Sequence, residues 1–92
     1  MIVRISSEGQ YRLSDGFLDR LNHLDNRIVE VVGKDDEVQF HHLFSEMLSL
    51  VRKEGEPLRP DEIAQSDLIL PPSDITLDEA KDLFKGEGLI PG

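Results

Sequence analysis

Residues 1–13 alternate between apolar and polar side chains, which leaves little freedom in how this chain can begin to fold. Met1, Val3 and Ile5 point to one side, as do Tyr11 and Leu13, while Arg4, Gln10 and Arg12 point to the other. Two such runs around a glycine-containing turn read as a β-hairpin. Pairing Ile5 with Tyr11 and Val3 with Leu13 keeps the apolar faces together. It leaves Ser7-Glu8-Gly9 as a three-residue loop, with glycine where φ is positive. A two-residue Glu8-Gly9 turn would set Ile5 opposite Arg12, so the longer loop is the better reading. A lone hairpin is marginal in water, so further elements must join it.

Helical spacing follows. Ser14 or Asp15 is placed to cap a first helix, with Phe17, Leu21, Leu24, Ile28 and Val31 forming one apolar stripe. Gly33 is a natural stop because it tolerates the left-handed conformation. Asp35 or Asp36 then caps a second helix carrying Phe40, Leu43, Phe44, Met47 and Val51 on one face. Arg52 and Lys53 stand in its last turn, where cations suit the helix dipole, and Gly55 and Pro57 end it. The short link predicts an antiparallel αα-hairpin over residues 15–54.

Residues 55–74 read as loop, with room for one helical turn at Pro60 and a short strand over residues 66–70 that Pro71 and Pro72 terminate. Thr76 and Glu79 form a capping box, with Ile75 placed to staple onto Ala80. A last helix is expected over residues 76–85, turning Leu77, Ala80, Leu83 and Phe84 inward, followed by a tail over residues 86–92. The whole is one α+β domain, residues 1–92. An N-terminal β-hairpin plus a short third strand is covered by the αα-hairpin and the short C-terminal helix.

Charge narrows the function classes. The net charge of −9 is graded: residues 1–35 carry five basic and six acidic side chains, residues 36–57 two and five, and residues 58–92 three and eight. Such a field repels phosphate, which argues against nucleic-acid binding and against direct docking on an anionic leaflet. The chain contains no cysteine, which excludes disulfides and thiolate zinc sites. No secretory signal and no run of apolar residues long enough to span a bilayer is visible, so the expected location is cytoplasmic.

The residues that could carry chemistry are few. Consecutive helical positions diverge by about 100°, so His41 and His42 cannot easily grip one ion together. Each has a carboxylate at helical spacing, Glu37 for His41 and Glu46 for His42, while His23 falls on the polar face of the first helix. The acid pairs Asp35-Asp36, Asp61-Glu62 and Asp78-Glu79 stand at predicted helix starts, where the dipole accounts for them. No nucleophile elbow or phosphate loop is present, and no cofactor is implied. The chain reads as non-enzymatic.

One charged pattern is a candidate for binding another protein. Arg20, Arg27 and Lys34 recur every seven residues along one flank of the first helix, beside His23, and could meet an acidic helix. The competing reading is pairing within the molecule, since Glu30 lies four residues before Lys34. The apolar tail Leu89-Ile90-Pro91 either docks on its own domain, for instance on the sheet, or is a presented binding segment. The outer edge of the hairpin could recruit a strand.

Three stretches, taken in order, place the chain beside a known family. They are Met1-Ile-Val-Arg-Ile5 with Glu8-Gly-Gln-Tyr-Arg-Leu13, then Ser66-Asp-Leu-Ile-Leu-Pro-Pro72, then Gly86-Glu-Gly-Leu-Ile-Pro-Gly92. The chain resembles, over essentially its whole length, the PspA-associated proteins, small bacterial proteins linked to the phage-shock membrane-stress system. The resemblance implies a non-enzymatic partner of phage-shock protein A, the coiled-coil membrane-remodelling protein of envelope stress. Charge adds that, if the protein reaches the membrane, its partner carries it there, because its own acidic surface is repelled. A homo-oligomer stays open, and no residue roles transfer by position. Two alternatives remain: a small enzyme or metal protein using His23, His41 or His42, and an acidic mimic of nucleic acid. Elemental analysis of the purified protein tests the metal alternative. The expected result is no stoichiometric metal, and one equivalent of bound metal would restore it.

Overall fold

The computed structural model describes residues 1–62, 64–85 and 88–90. Its sheet has four strands: β1 (Ile2–Ile5), β2 (Gly9–Arg12), β3 (Glu56–Pro57) and β4 (Leu68–Leu70), in the order β3-β2-β1-β4. β1 and β2 are antiparallel, β3 runs antiparallel to β2, and β4 lies parallel to β1. The helices are α1 (Leu18–Gly33), α2 (Glu37–Glu54) and α3 (Leu77–Leu83), with a 3₁₀ turn at Asp15–Phe17 leading into α1. The α+β class, the N-terminal hairpin and the helical layer agree with expectation. The two-residue strand β3 was not foreseen, because residues 55–65 read as loop.

Register is the first correction. Val3 pairs with Tyr11 and Ile5 with Gly9, a shift of two from the predicted pairing of Val3 with Leu13 and Ile5 with Tyr11. A shift of two preserves which side chains face the core, since the pleat repeats every second residue. The turn is closed by the Glu8 amide donating to the Ile5 carbonyl at 3.0 Å, with Ser7 at φ 73°. This register brings Met1 into the ladder: the Leu13 amide donates to the Met1 carbonyl at 2.9 Å, and the Met1 amino group donates to the Leu13 carbonyl at 2.8 Å. The predicted register would have left Met1 beyond the hairpin's partner strand.

The two faces of the sheet are covered differently. Val3, Ile5, Leu13, Leu68 and Leu70 turn inward and are buried, while Arg4, Arg12 and Ile69 face outward and are exposed. Because β3 and β4 lie on opposite edges, the segment joining them must cross the sheet. It crosses the outer face: the outward Gln10 amide donates to the Ala64 carbonyl at 2.7 Å and to Ser66 Oγ at 2.9 Å. Arg12 also reaches Glu62 at 3.7 Å. β4 is then locked to β1 by the Ile2 amide donating to Asp67 Oδ2 at 2.7 Å and the Asp67 amide donating to the Ile2 carbonyl at 2.8 Å.

On the inner side, α1 buries Leu21, Leu24, Ile28 and Val32, and α2 buries Phe40, Leu43, Phe44, Met47, Leu48 and Val51. Val31, expected in the stripe, is only half-buried, and Phe17 belongs to the 3₁₀ turn. The left-handed residue between the helices is Asp35 (φ 57°) and not Gly33, which stays helical. The left-handed residue thus stands two residues later than expected, and Asp36 caps α2 by accepting from the Gln39 amide at 3.1 Å. Asn and Asp tolerate that conformation best after glycine.

The capping box of α3 forms as expected, with Ile75 and Ala80 both buried. Phe84 plugs the helical layer, edge-on to Phe40 and Phe44 at 6.1 Å from each, while those two rings stack at 5.6 Å. Aromatic pairs of this kind add about 0.5–1.5 kcal/mol beyond burial. Leu83, expected inward, is 43% exposed, because α3 ends there; Ala80 and Phe84 are buried and Leu77 packs partly buried against the core, as expected.

Gly55 joins α2 to β3 where the backbone passes close to β2. A Cβ there would stand 2.5 Å from the Val51 carbonyl oxygen and 3.0 Å from Tyr11 Cβ. Gly55→Ala should therefore destabilise the protein by about 1–3 kcal/mol, the usual effect of overpacking. Chemical denaturation measures it, and an unchanged midpoint would show that β3 is free to move away.

Candidate functional site

Where α1 and α2 lie side by side, their solvent side forms an open groove of about 600 Å³. The α1 wall carries Arg20 and His23, with Leu24 below them. The α2 wall carries His42, Glu46, Lys53 and Glu54, and Ser45, Ser49 and Leu50 complete the floor. The lining as a whole exposes more apolar than polar surface, and both helices contribute charged groups to it.

The predicted basic flank is divided by the structure. Arg20 and His23 are gathered in the groove, where the Arg20 guanidinium sits 5.7 Å from the Phe17 ring centroid. Arg27, two turns on from Arg20, is exposed and has no ion pair among the described residues. Lys34 pairs with Glu30 at 3.4 Å, as the competing reading had it. The histidines also follow that pattern: His41 Nε2 lies 3.6 Å from Glu37 and His42 Nε2 3.3 Å from Glu46. Among the described residues, no group of three or more His, Cys, Asp or Glu is positioned to hold a metal ion.

The tail docks on its own domain, though on α1 and not on the sheet. The Leu89 amide donates to Asp25 Oδ1 at 3.0 Å and the Ile90 amide to Asp25 Oδ2 at 2.9 Å. Asp25 is 0% exposed and Ile90 is 7% exposed. A buried carboxylate is costly unless its oxygens are satisfied, and two consecutive amides do this without a cation. Gly88 turns the chain into the slot at φ 81°, and a Cβ there would stand 2.5 Å from Asp25 Oδ2. Leu89 is half-buried, so both described members of the expected binding segment are engaged within the domain. Pro91 lies outside the described residues. Sequence reasoning missed Asp25, although it stands four residues after Leu21 and three before Ile28, inside the buried stripe.

Two ion pairs tie other elements together. Arg52 on α2 forms a two-pronged bridge to Glu8 in the hairpin turn, donating from Nε at 3.0 Å and Nη2 at 2.8 Å. Hydrogen bonding to Glu8 raises the Arg52 pKa above its ordinary value. Lys81 on α3 meets Asp35 in the interhelical link, and that hydrogen bond raises the lysine pKa too. Both cations are thereby committed within the fold.

Asp25→Asn removes one acceptor and sets an amide donor against a backbone amide. It should cost about 1–3 kcal/mol. Hydrogen exchange at Leu89 and Ile90 should accelerate more than exchange in β1, and unchanged protection at those two amides would show that Asp25 does not hold the tail.

No helix among the described residues is long and apolar enough to cross a membrane. No curated protein and no solved structure matches the chain. A family model does, that of the PspA-associated proteins, and it covers residues 1–92. The match spans the hairpin, β4 and the C-terminal segment alike, and the chain belongs to the PspA-associated protein family.

Proposed function

We propose that this protein is a non-enzymatic interaction module that binds phage-shock protein A in the bacterial envelope-stress response. The observation that carries the proposal is the family match over the full 92 residues, in a family described by association with PspA. The surface supports it. The groove is open, with charged side chains on both helices and a lining more apolar than polar, which suits contact with a macromolecule better than enclosure of a small substrate.

The binding residues are Arg20, His23 and Arg27. Lys34 is occupied by Glu30, and Leu89 and Ile90 by the domain itself. The protein works in the cytoplasm and reaches the membrane through its partner, since a net charge of −9 is repelled by an anionic leaflet.

The test is direct mixing of purified protein with purified phage-shock protein A. Light scattering should show a complex whose fraction rises with concentration. Absence of any complex at tens of micromolar, with both proteins folded by circular dichroism, would overturn the proposal.

A further inference from the structure

The groove between α1 and α2 has features that select one kind of occupant. It runs along α2 from His42 to Glu54, twelve residues, which is about 18 Å at 1.5 Å per residue. Its walls are the side chains of two helices whose main-chain groups are already paired along their own axes. An extended peptide laid in it would find no strand edge to pair with, and its own amides and carbonyls would lack partners. A helix satisfies its main chain internally and brings only side chains to the contact. The floor suits such a neighbour: Ser45 and Ser49 are small and one turn apart, so a helix axis can approach closely over Leu24 and Leu50.

Charge then orients the occupant. The net charge is −9, yet the α1 rim presents Arg20 and His23, and the exposed Arg27 follows two turns on from Arg20 along the same helix, outside the groove's lining. None of these three has an ion pair among the described residues. The α2 rim is mixed, with Lys53 and Glu54 at one end and the His42–Glu46 pair at the other. A helix with carboxylates along one flank and an apolar stripe beside them is complementary to this arrangement, its acidic flank lying against α1.

We infer that the α1–α2 groove seats one amphipathic helix of the partner, acidic flank toward Arg20 and Arg27, to make a three-helix arrangement. This rests on the proposed association with phage-shock protein A and adds the place, the secondary structure and the charge pattern of the contact. Seating buries the apolar floor and draws the carboxylates onto α1. Affinity should accordingly fall as salt rises, since the rim charges are exposed and screened.

The test measures affinity of full-length phage-shock protein A for wild-type protein and three variants by titration calorimetry, at about 0.05 and 0.3 M salt. Arg20→Glu/Arg27→Glu should weaken binding about tenfold or more and flatten the salt dependence. Ser49→Trp, which fills the floor, should weaken it by about the same factor without changing the salt dependence. Ile69→Ser, on the outer face of the sheet, should leave affinity within about twofold. Circular dichroism checks each fold, and if Ser49→Trp is misfolded the charge-reversal pair decides. Wild-type protein that fails to bind at all overturns the proposed function. Wild-type protein that binds while the charge-reversed variant keeps full affinity overturns the groove alone, as would a large loss confined to Ile69→Ser.

Discussion

A sheet whose strands are two to four residues long offers too little surface to hold itself together, and the placement of every other element follows from covering it. The inner face, with Val3, Ile5 and Leu70 fully enclosed, requires a layer about as wide as two helices, which α1 and α2 supply. The outer face is strapped by the crossover from β3 to β4, held through Gln10 to Ala64 and Ser66. With four short strands and a two-helix cover, the solvent side of the helical hairpin is left open. That is where the groove lies.

Closing the remaining gap falls to α3 and the tail, through two different kinds of interaction. Phe84 enters edge-on against Phe40 and Phe44, an apolar contact that needs shape more than direction. Asp25 works by direction: a carboxylate in the buried stripe has two oxygens to satisfy, and Leu89 and Ile90 provide the amides. Engagement of the tail along α1 removes Leu89 and Ile90 from the surface available to partners. In the proposed function, recognition therefore rests on the charged flank of α1.

Electrostatics separates the charges that hold the fold together from those that remain on offer. Arg52 is bound to Glu8, Lys81 to Asp35 and Lys34 to Glu30, each linking neighbouring parts of the molecule. Arg20, Arg27 and Lys53 have no ion pair among the described residues, and Arg20 and Lys53 line the groove; Arg4 and Lys85, also without an ion pair, lie elsewhere on the surface. In a molecule otherwise strongly acidic, exposed cations without an ion pair are the groups to which the proposed acidic partner would be drawn.

Local patterns were legible from residues 1–92 because each depends on near neighbours. The alternation of Met1 to Leu13, the stripe from Leu21 to Ile28, the aromatic face of α2, the Thr76–Glu79 capping box and the histidine–glutamate pairs all appear as expected. The errors fell where distant parts of the chain compete. Hairpin register was settled by Met1 reaching Leu13, the short strand β3 by the open edge of β2, and the exposure of Leu83 by where α3 ends. Asp25 is the clearest case. Neighbouring side chains mark it as an intruder in an apolar stripe, but its partners lie more than sixty residues away. Composition and periodicity thus decide the elements, their faces and the acidic character of the whole, because those properties are carried by adjacent residues. Packing alone decides which cations stay free and which apolar segments are hidden, because a charge or a methyl group is committed only when the folded chain brings its partner within reach.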